Sequence, residues 1–156
     1  MTQHKNLLLK NQLCFALYAA TNSIIRYYRI YLNEIGITYT QYLVLLVLWE
    51  SKNCSIKEIA KVLKLDSPTI TPIVQKLEKM NLVKRQRSDK DERMVLVSLT
   101  KAGIDLEDQV ADIQNKVACK THLKTKDFNE LKETLNQLAQ TMTEKEKKLD
   151  SLLKSN

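Results

Sequence analysis

Glycine and proline are scarce, two of each in 156 residues, and that scarcity excludes architectures before any motif is read. Sandwiches and barrels spend these residues on many turns, so a mainly helical protein is expected. Cysteine is equally sparse: Cys14, Cys54 and Cys119 make an odd count with no CxxC spacing. A disulfide framework is disfavoured by that count. Cys119 and His122 stand close together, but two ligands on one segment fall short of the about four a structural zinc needs, and no metal site is expected. No other cofactor is expected either. No apolar run reaches the roughly 18 to 20 residues of a membrane span. The opening MTQHKNLLLK lacks a signal peptide's long apolar stretch and cleavage site. The expected location is the cytoplasm of a bacterium, with no membrane partner.

Charge is plentiful and unevenly placed. The formal net charge is +7. Residues 1–51 hold four Lys/Arg against two Asp/Glu, residues 52–93 hold eleven against six, and residues 94–156 hold ten against ten. Five of the seven surplus charges therefore fall in the middle of the chain, which points to a module facing a polyanion. Nucleic acid is the leading partner class.

Apolar residues over about 7–32 (Leu9, Leu13, Leu17, Ile24, Tyr28, Tyr31) recur with helical spacing and predict a long first helix. Cys14 falls in the middle of that expected helix. Thr38 with Gln41 can cap a second, buried helix carrying YLVLLVLW, and Ser55 with Glu58 has the same capping-box spacing before a short third. Cys54 can pack onto Ile59 beside that cap as a structural residue. After Lys64-Leu65-Asp66, Ser67 is expected to cap a fourth helix with Pro68 at its first position. Pro72 is expected to bend or loosen the first turn. Leu82, Val83, Val95 and Val97 bracket a charged tip and predict a β-hairpin, followed by helices capped by Thr100 and started by Thr125. The fold class is mainly α: a winged helix-turn-helix with a small β-hairpin wing. One compact unit is expected at this length.

A helix in the major groove needs short polar or basic side chains on its outer face. The fourth helix offers Ser67, Thr69, Thr71, Gln75, Lys76 and Lys79. Hydroxyls suit phosphates and thymine edges, Gln75 can read adenine, and the lysines suit phosphates. The hairpin offers Lys84, Arg85, Arg87, Lys90 and Arg93, and an arginine at such a tip, Arg87 or Arg93, can enter a narrow minor groove. Taken alone, that tip is equally readable as a solvated charged turn.

NQLCFALYAA, GITYTQYLVLLVLWE, LDSPTITPIVQKLEKMNLVKRQRSDKDER and VLVSLTKAG together resemble the MarR family of bacterial winged-helix regulators, in particular its organic hydroperoxide resistance branch. The resemblance covers nearly the whole chain. It implies a single MarR-type domain, with dimerisation helices over about 7–32 and 101–153 around a winged-helix core over about 38–99. It further implies a homodimer that binds a pseudo-palindromic double-stranded operator, and a repressor, not an enzyme, released when organic hydroperoxide oxidises a first-helix cysteine. Cys14 matches that cysteine, Tyr28 and Tyr39 match the tyrosines that hydrogen-bond to it, and Cys119 matches a resolving thiol present in some of these proteins. Pro68 departs from the branch, which usually has glycine there.

Cys14 and Tyr28 are fourteen residues apart, which puts them on one face of a helix yet about 21 Å apart along it at roughly 1.5 Å per residue. A contact along one helix is excluded, but two copies packed antiparallel about an axis near Thr21 would bring Cys14 of one chain to Tyr28 of the other. Two other readings stay open: a regulator that responds to a small aromatic ligand with Cys14 incidental, and a thiol peroxidase. The second is disfavoured because that chemistry places its cysteine at a helix N-terminus beside Arg and Thr.

Overall fold

The computed structural model describes residues 4–87 and 94–153. The chain divides into two compact units, residues 1–117 and 118–156. The first contains α1 (Leu13–Glu34), α2 (Tyr39–Ser51), β1 (Asn53–Ser55), α3 (Ile56–Leu63), α4 (Ser67–Lys79), β2 (Val83–Arg87), β3 (Val95–Leu99), α5 (Lys101–Asp105) and most of α6 (Glu107–Lys120). The second contains the end of α6 and α7 (Thr125–Leu153). Among the described residues, no helix is long and apolar enough to cross a membrane.

The first helix starts later than its periodicity suggests. Residues 5–11 form two short 3-10 turns, closed by the Asn11 side chain donating to the Lys5 carbonyl and the Gln12 side chain donating to that of Asn6. These side-chain bonds stop the helix from extending back through Leu9, which is exposed. Cys14 consequently occupies the first turn of α1 and not its middle. At the far end, Gly36 takes a left-handed φ of 75° and lets Ile37 donate back to the Leu32 carbonyl, a Schellman closure.

Both expected capping boxes are present, Thr38 with Gln41 and Ser55 with Glu58. The cap of α4 is corrected by one residue. Asp66 is the N-cap, its carboxylate accepting from the Thr69 N–H at 2.8 Å, so that Ser67 and Pro68 fill the first two helical positions. A carboxylate outcompetes a hydroxyl here because it accepts more strongly and favours the positive end of the helix. The helix runs through Pro72 without interruption. Its end is closed by Asn81, which takes a left-handed φ of 58° while Leu82 donates to the Leu77 carbonyl.

The wing is part of a three-stranded antiparallel sheet ordered β1-β3-β2, one strand more than the expected hairpin. Asn53, Ser98 and Lys84 lie in one row across it; Cys54, Val97 and Arg85 lie in the next, facing the other way. Cys54 is thus buried on a strand as well as preceding the Ser55 cap. Where the sequence predicts one helix from Thr100 through about Val117, the chain instead turns at Leu106 to give α5 and α6. The core joins Leu32, Leu45, Leu48, Ile59, Ile70, Leu77, Val83 and Val97, all at most 2 % exposed. Burial of Ile70, Val74 and Leu77 in this core leaves the polar face of α4 exposed.

Candidate nucleic-acid interface and redox site

Ile70, Val74 and Leu77 fasten α4 to the core. The opposite face carries Pro68, Thr69, Pro72, Gln75, Lys76 and Lys79, all exposed, with Ser67 half-buried beside them. Gln75, Lys76 and Lys79 stand ready for base edges and phosphates. Thr71 is different: its hydroxyl donates to the Ser67 carbonyl at 2.8 Å, which ties its proton to the helix backbone. Hydrogen bonds from Thr69 hold the Asp66 carboxylate below the usual range, so the cap stays ionised at neutral pH.

On the wing, Arg87 is exposed at the end of β2. Arg85 is engaged instead with Glu78 of α4, 2.6 Å from its carboxylate. Lys90 and Arg93 lie outside the described residues.

The residues expected at the redox site lie apart, Cys14 and Tyr28 towards opposite ends of α1 and Tyr39 at the start of α2. Cys14 is exposed in the first turn of α1, while Tyr28 is 9 % exposed at its inner face. The structure brings Tyr28 and Tyr39 together, ring centroids 5.2 Å apart, but not Cys14, which shares a straight helix with Tyr28 at a separation of about 21 Å. Sequence reasoning misses a third phenol. Tyr42 stacks on Tyr28 at 5.1 Å and lies 5.7 Å from Tyr39. Burial, then contact with the Tyr28 hydroxyl, pushes the Tyr42 phenol well above its ordinary value. Burial, then the Tyr28 charge, also raises the Tyr39 phenol above its ordinary value. The signal in the sequence is a second tyrosine in the buried helix, three residues after Tyr39 and leading an aliphatic run: a buried phenol there needs a polar neighbour.

Tyr42 also walls a cavity of about 320 Å³ with Leu46, Trp49, Glu50, Glu107 and Val110. Tyr31 packs against the core with the Lys116 ammonium 5.7 Å from its ring centroid. Tyr27 stays exposed. In the second unit Cys119 is exposed near the end of α6. Among the described residues, no group of three or more His, Cys, Asp or Glu is arranged to hold a metal ion.

Comparison with known proteins places this geometry. The chain is 39% identical over 137 residues to the organic hydroperoxide resistance transcriptional regulator of Bacillus subtilis, an alignment covering 88% of this chain and 93% of that one. Among solved structures it resembles reduced AbfR bound to DNA, with TM-score 0.76, 32% identity, and coverage of 92% and 98% of the two chains. It also resembles disulfide-formed AbfR, with TM-score 0.62, 35% identity, and coverage of 87% and 90%. Residues 26–110 match the family model described as transcriptional regulator SarA/Rot. The chain belongs to that family: it is a transcriptional regulator built on the MarR-like winged helix, and not an enzyme.

Proposed function

We propose that this protein is a repressor that binds a pseudo-palindromic DNA operator as a homodimer in the bacterial cytoplasm and lets go when organic hydroperoxide oxidises Cys14. The observation that carries the DNA reading is the outer face of α4, where Gln75, Lys76 and Lys79 stand exposed opposite a fully buried apolar face. Ser67, Thr69 and Thr71 border that face, and Arg87, with Lys90 and Arg93 beyond it, supplies the wing's positive charge. AbfR, a relative of similar fold, has been solved bound to DNA.

The dimer reading rests on apolar side chains that one chain leaves in water. Leu13, Tyr18, Ile24, Tyr27 and Ile30 on α1 are 40 to 66 % exposed, and Leu131 and Met142 on α7 are 47 and 61 % exposed. Such stripes on long helices mark association surfaces. Antiparallel packing of two α1 helices near Thr21 brings Cys14 of one chain to Tyr28 and Tyr39 of the other. The phenols donate hydrogen bonds to the sulfur and favour its anionic form.

The chemistry is a two-electron oxidation. The Cys14 thiolate attacks the terminal oxygen of the hydroperoxide, forming an S–O bond as the O–O bond breaks, and the expelled alkoxide takes a proton from water to leave as the alcohol; Cys14 becomes sulfenic acid. The Cys119 thiolate of the other chain then attacks that sulfur, expelling hydroxide that is protonated to water, and an intersubunit disulfide results. A disulfide-formed relative supports this second step.

The deciding experiment is a mobility shift on a duplex selected from a random pool by the wild-type protein, with and without cumene hydroperoxide, beside Cys14→Ala. The variant is expected to keep its affinity and lose its release; release that survives sinks the redox reading. The cavity beside Tyr42 favours a second reading, a small aromatic ligand as effector, because its volume lies at the lower end of ligand pockets, about 300 Å³. Peroxide release surviving in Cys14→Ala, together with release by aromatic acids, would point there.

A further inference from the structure

The wing holds two arginines on one face of β2, and they are differently employed. Arg85 and Arg87 are two residues apart on a strand, so both side chains leave the same side, paired with Val97 and Val95 of β3. Arg87 is exposed. Arg85 turns back to Glu78, the penultimate residue of α4. Its Nε donates to Oε2 of Glu78 at 2.7 Å and its Nη2 reaches the same oxygen at 2.6 Å. The backbone N–H of Arg85 donates to the other oxygen, Oε1, at 3.2 Å. One carboxylate on the reading helix therefore grips both the side chain and the backbone of the wing strand, and through the Arg85–Val97 pairing it grips β3 as well. The hydrogen bonds from Arg85 keep Glu78 below the usual carboxylate range.

We propose that the Glu78–Arg85 pair is a positioning clamp that sets the stance of the wing relative to the reading helix, fixing the spacing between the groove contacts of α4 and those of the wing. The proposal rests on the DNA-binding reading above. Arg85 is then a positioning residue and does not touch DNA, while Arg87, two residues on, is left to face the duplex. The arrangement around the clamp agrees. The turn between Glu78 and Arg85 is pinned by the left-handed Asn81, by the Thr100 hydroxyl donating to the Asn81 carbonyl at 2.6 Å, and by the Thr100 N–H donating to the Leu82 carbonyl at 3.0 Å. Gly103 presses so close to this turn that a Cβ there would stand 2.1 Å from the Leu82 carbonyl oxygen. With the base of β2 held in this way, the Glu78–Arg85 pair adds a direct tie between the end of α4 and β2.

Partly exposed ion pairs add little to folding stability, so the clamp is read in the DNA footprint and not in melting temperature. Its sign separates positioning from charge. Glu78 shares α4 with Gln75, Lys76 and Lys79, and neutralising a carboxylate near phosphates tightens binding if electrostatics alone matters. The clamp requires the reverse: Glu78→Gln weakens it.

The test is hydroxyl-radical footprinting of the full-length protein on the duplex selected by the wild type, with affinity measured across a salt series. Glu78→Gln is expected to bind about tenfold more weakly, with a log K against log salt slope shallower by about one for each phosphate that the wing ceases to neutralise. Protections made by the wing should fade while those of α4 persist. Arg85→Lys, which keeps the charge but loses the planar fork, should do the same. The charge-swapped double variant E78R/R85E should recover wing protection. Binding by Glu78→Gln as tight as or tighter than wild type, with the wing footprint intact, overturns the clamp. A wild-type protein that selects no duplex instead overturns the DNA reading beneath it.

Discussion

The phenol cluster of α1 and α2 and the proposed reading surface of α4 and β2 belong to the same compact unit, yet they are held together by opposite means. In the cluster, Tyr28, Tyr39 and Tyr42 pack ring to ring within 5.7 Å, and burial raises the phenols of Tyr39 and Tyr42 above their ordinary value. On the reading surface the organising groups are ionised carboxylates: Glu58 capping α3, Asp66 capping α4, and Glu78 gripping Arg85. Each is held below its usual range by hydrogen bonds, from Ser55, Thr69 and Arg85 respectively. One region is ordered by packing neutral rings together, while in the other ionised carboxylates set the helix starts and the contact between α4 and β2.

The sharpest way to break this contrast is to remove a ring. Tyr42→Ala is expected to cost about 3–5 kcal/mol of folding stability, the loss typical of a buried aromatic, and calorimetry or urea unfolding measures it. Sequence preference on DNA should not move. Alkali probes the same region without mutation. Because the folded chain holds the phenols of Tyr39 and Tyr42 above their unfolded value of about 10, their contribution is complete below that pH and declines as pH rises past it. Tyrosinate absorbance and circular dichroism should then change together.

On the reading surface the expected order inverts. Gln75→Ala should leave unfolding within experimental scatter but relax the preference for adenine at one operator position by about 1–3 kcal/mol. Binding to a panel of singly substituted duplexes checks it. Lys76→Ala should weaken binding to all duplexes alike and flatten the salt dependence by about one unit. Acid gives the smallest effect. The three depressed carboxylates contribute fully above the unfolded value of about 4, and that contribution is lost as pH falls through their folded values. Helix signal and DNA binding should fade before the phenol packing, seen by near-ultraviolet circular dichroism, does.

Local chemistry makes much of this legible. The two capping boxes declare themselves by residue type and spacing, so the starts of α2 and α3 are where Thr38 and Ser55 put them. The buried face of α4 is readable from Ile70, Val74 and Leu77. What sequence does not supply is the outcome of competition. Asp66 and Ser67 are both good caps, and only the folded backbone chooses Asp66. β1 has three residues and no alternation to detect; it exists because β3 offers it a ladder. Periodicity misplaces the start of α1 because Leu9 fits the helical repeat, although side-chain bonds from Asn11 and Gln12 divert the chain. The difference bears on the candidate site, since it moves Cys14 from the middle of a helix to its first turn. Tyr42 reads as one more apolar residue in a buried helix, and its role beside Tyr28 emerges only from tertiary packing.

The single tryptophan adds a practical property. The indole of Trp49, at the end of α2, donates its N–H to the Gly103 carbonyl at 3.0 Å, and Gly103 in turn lies against the turn that leads into β2. One fluorophore is thus tied by a single bond to the root of the wing. Its emission wavelength and lifetime offer a label-free optical gauge of that junction, readable in real time as DNA or oxidant is added, with no dye and no second indole to confuse the signal.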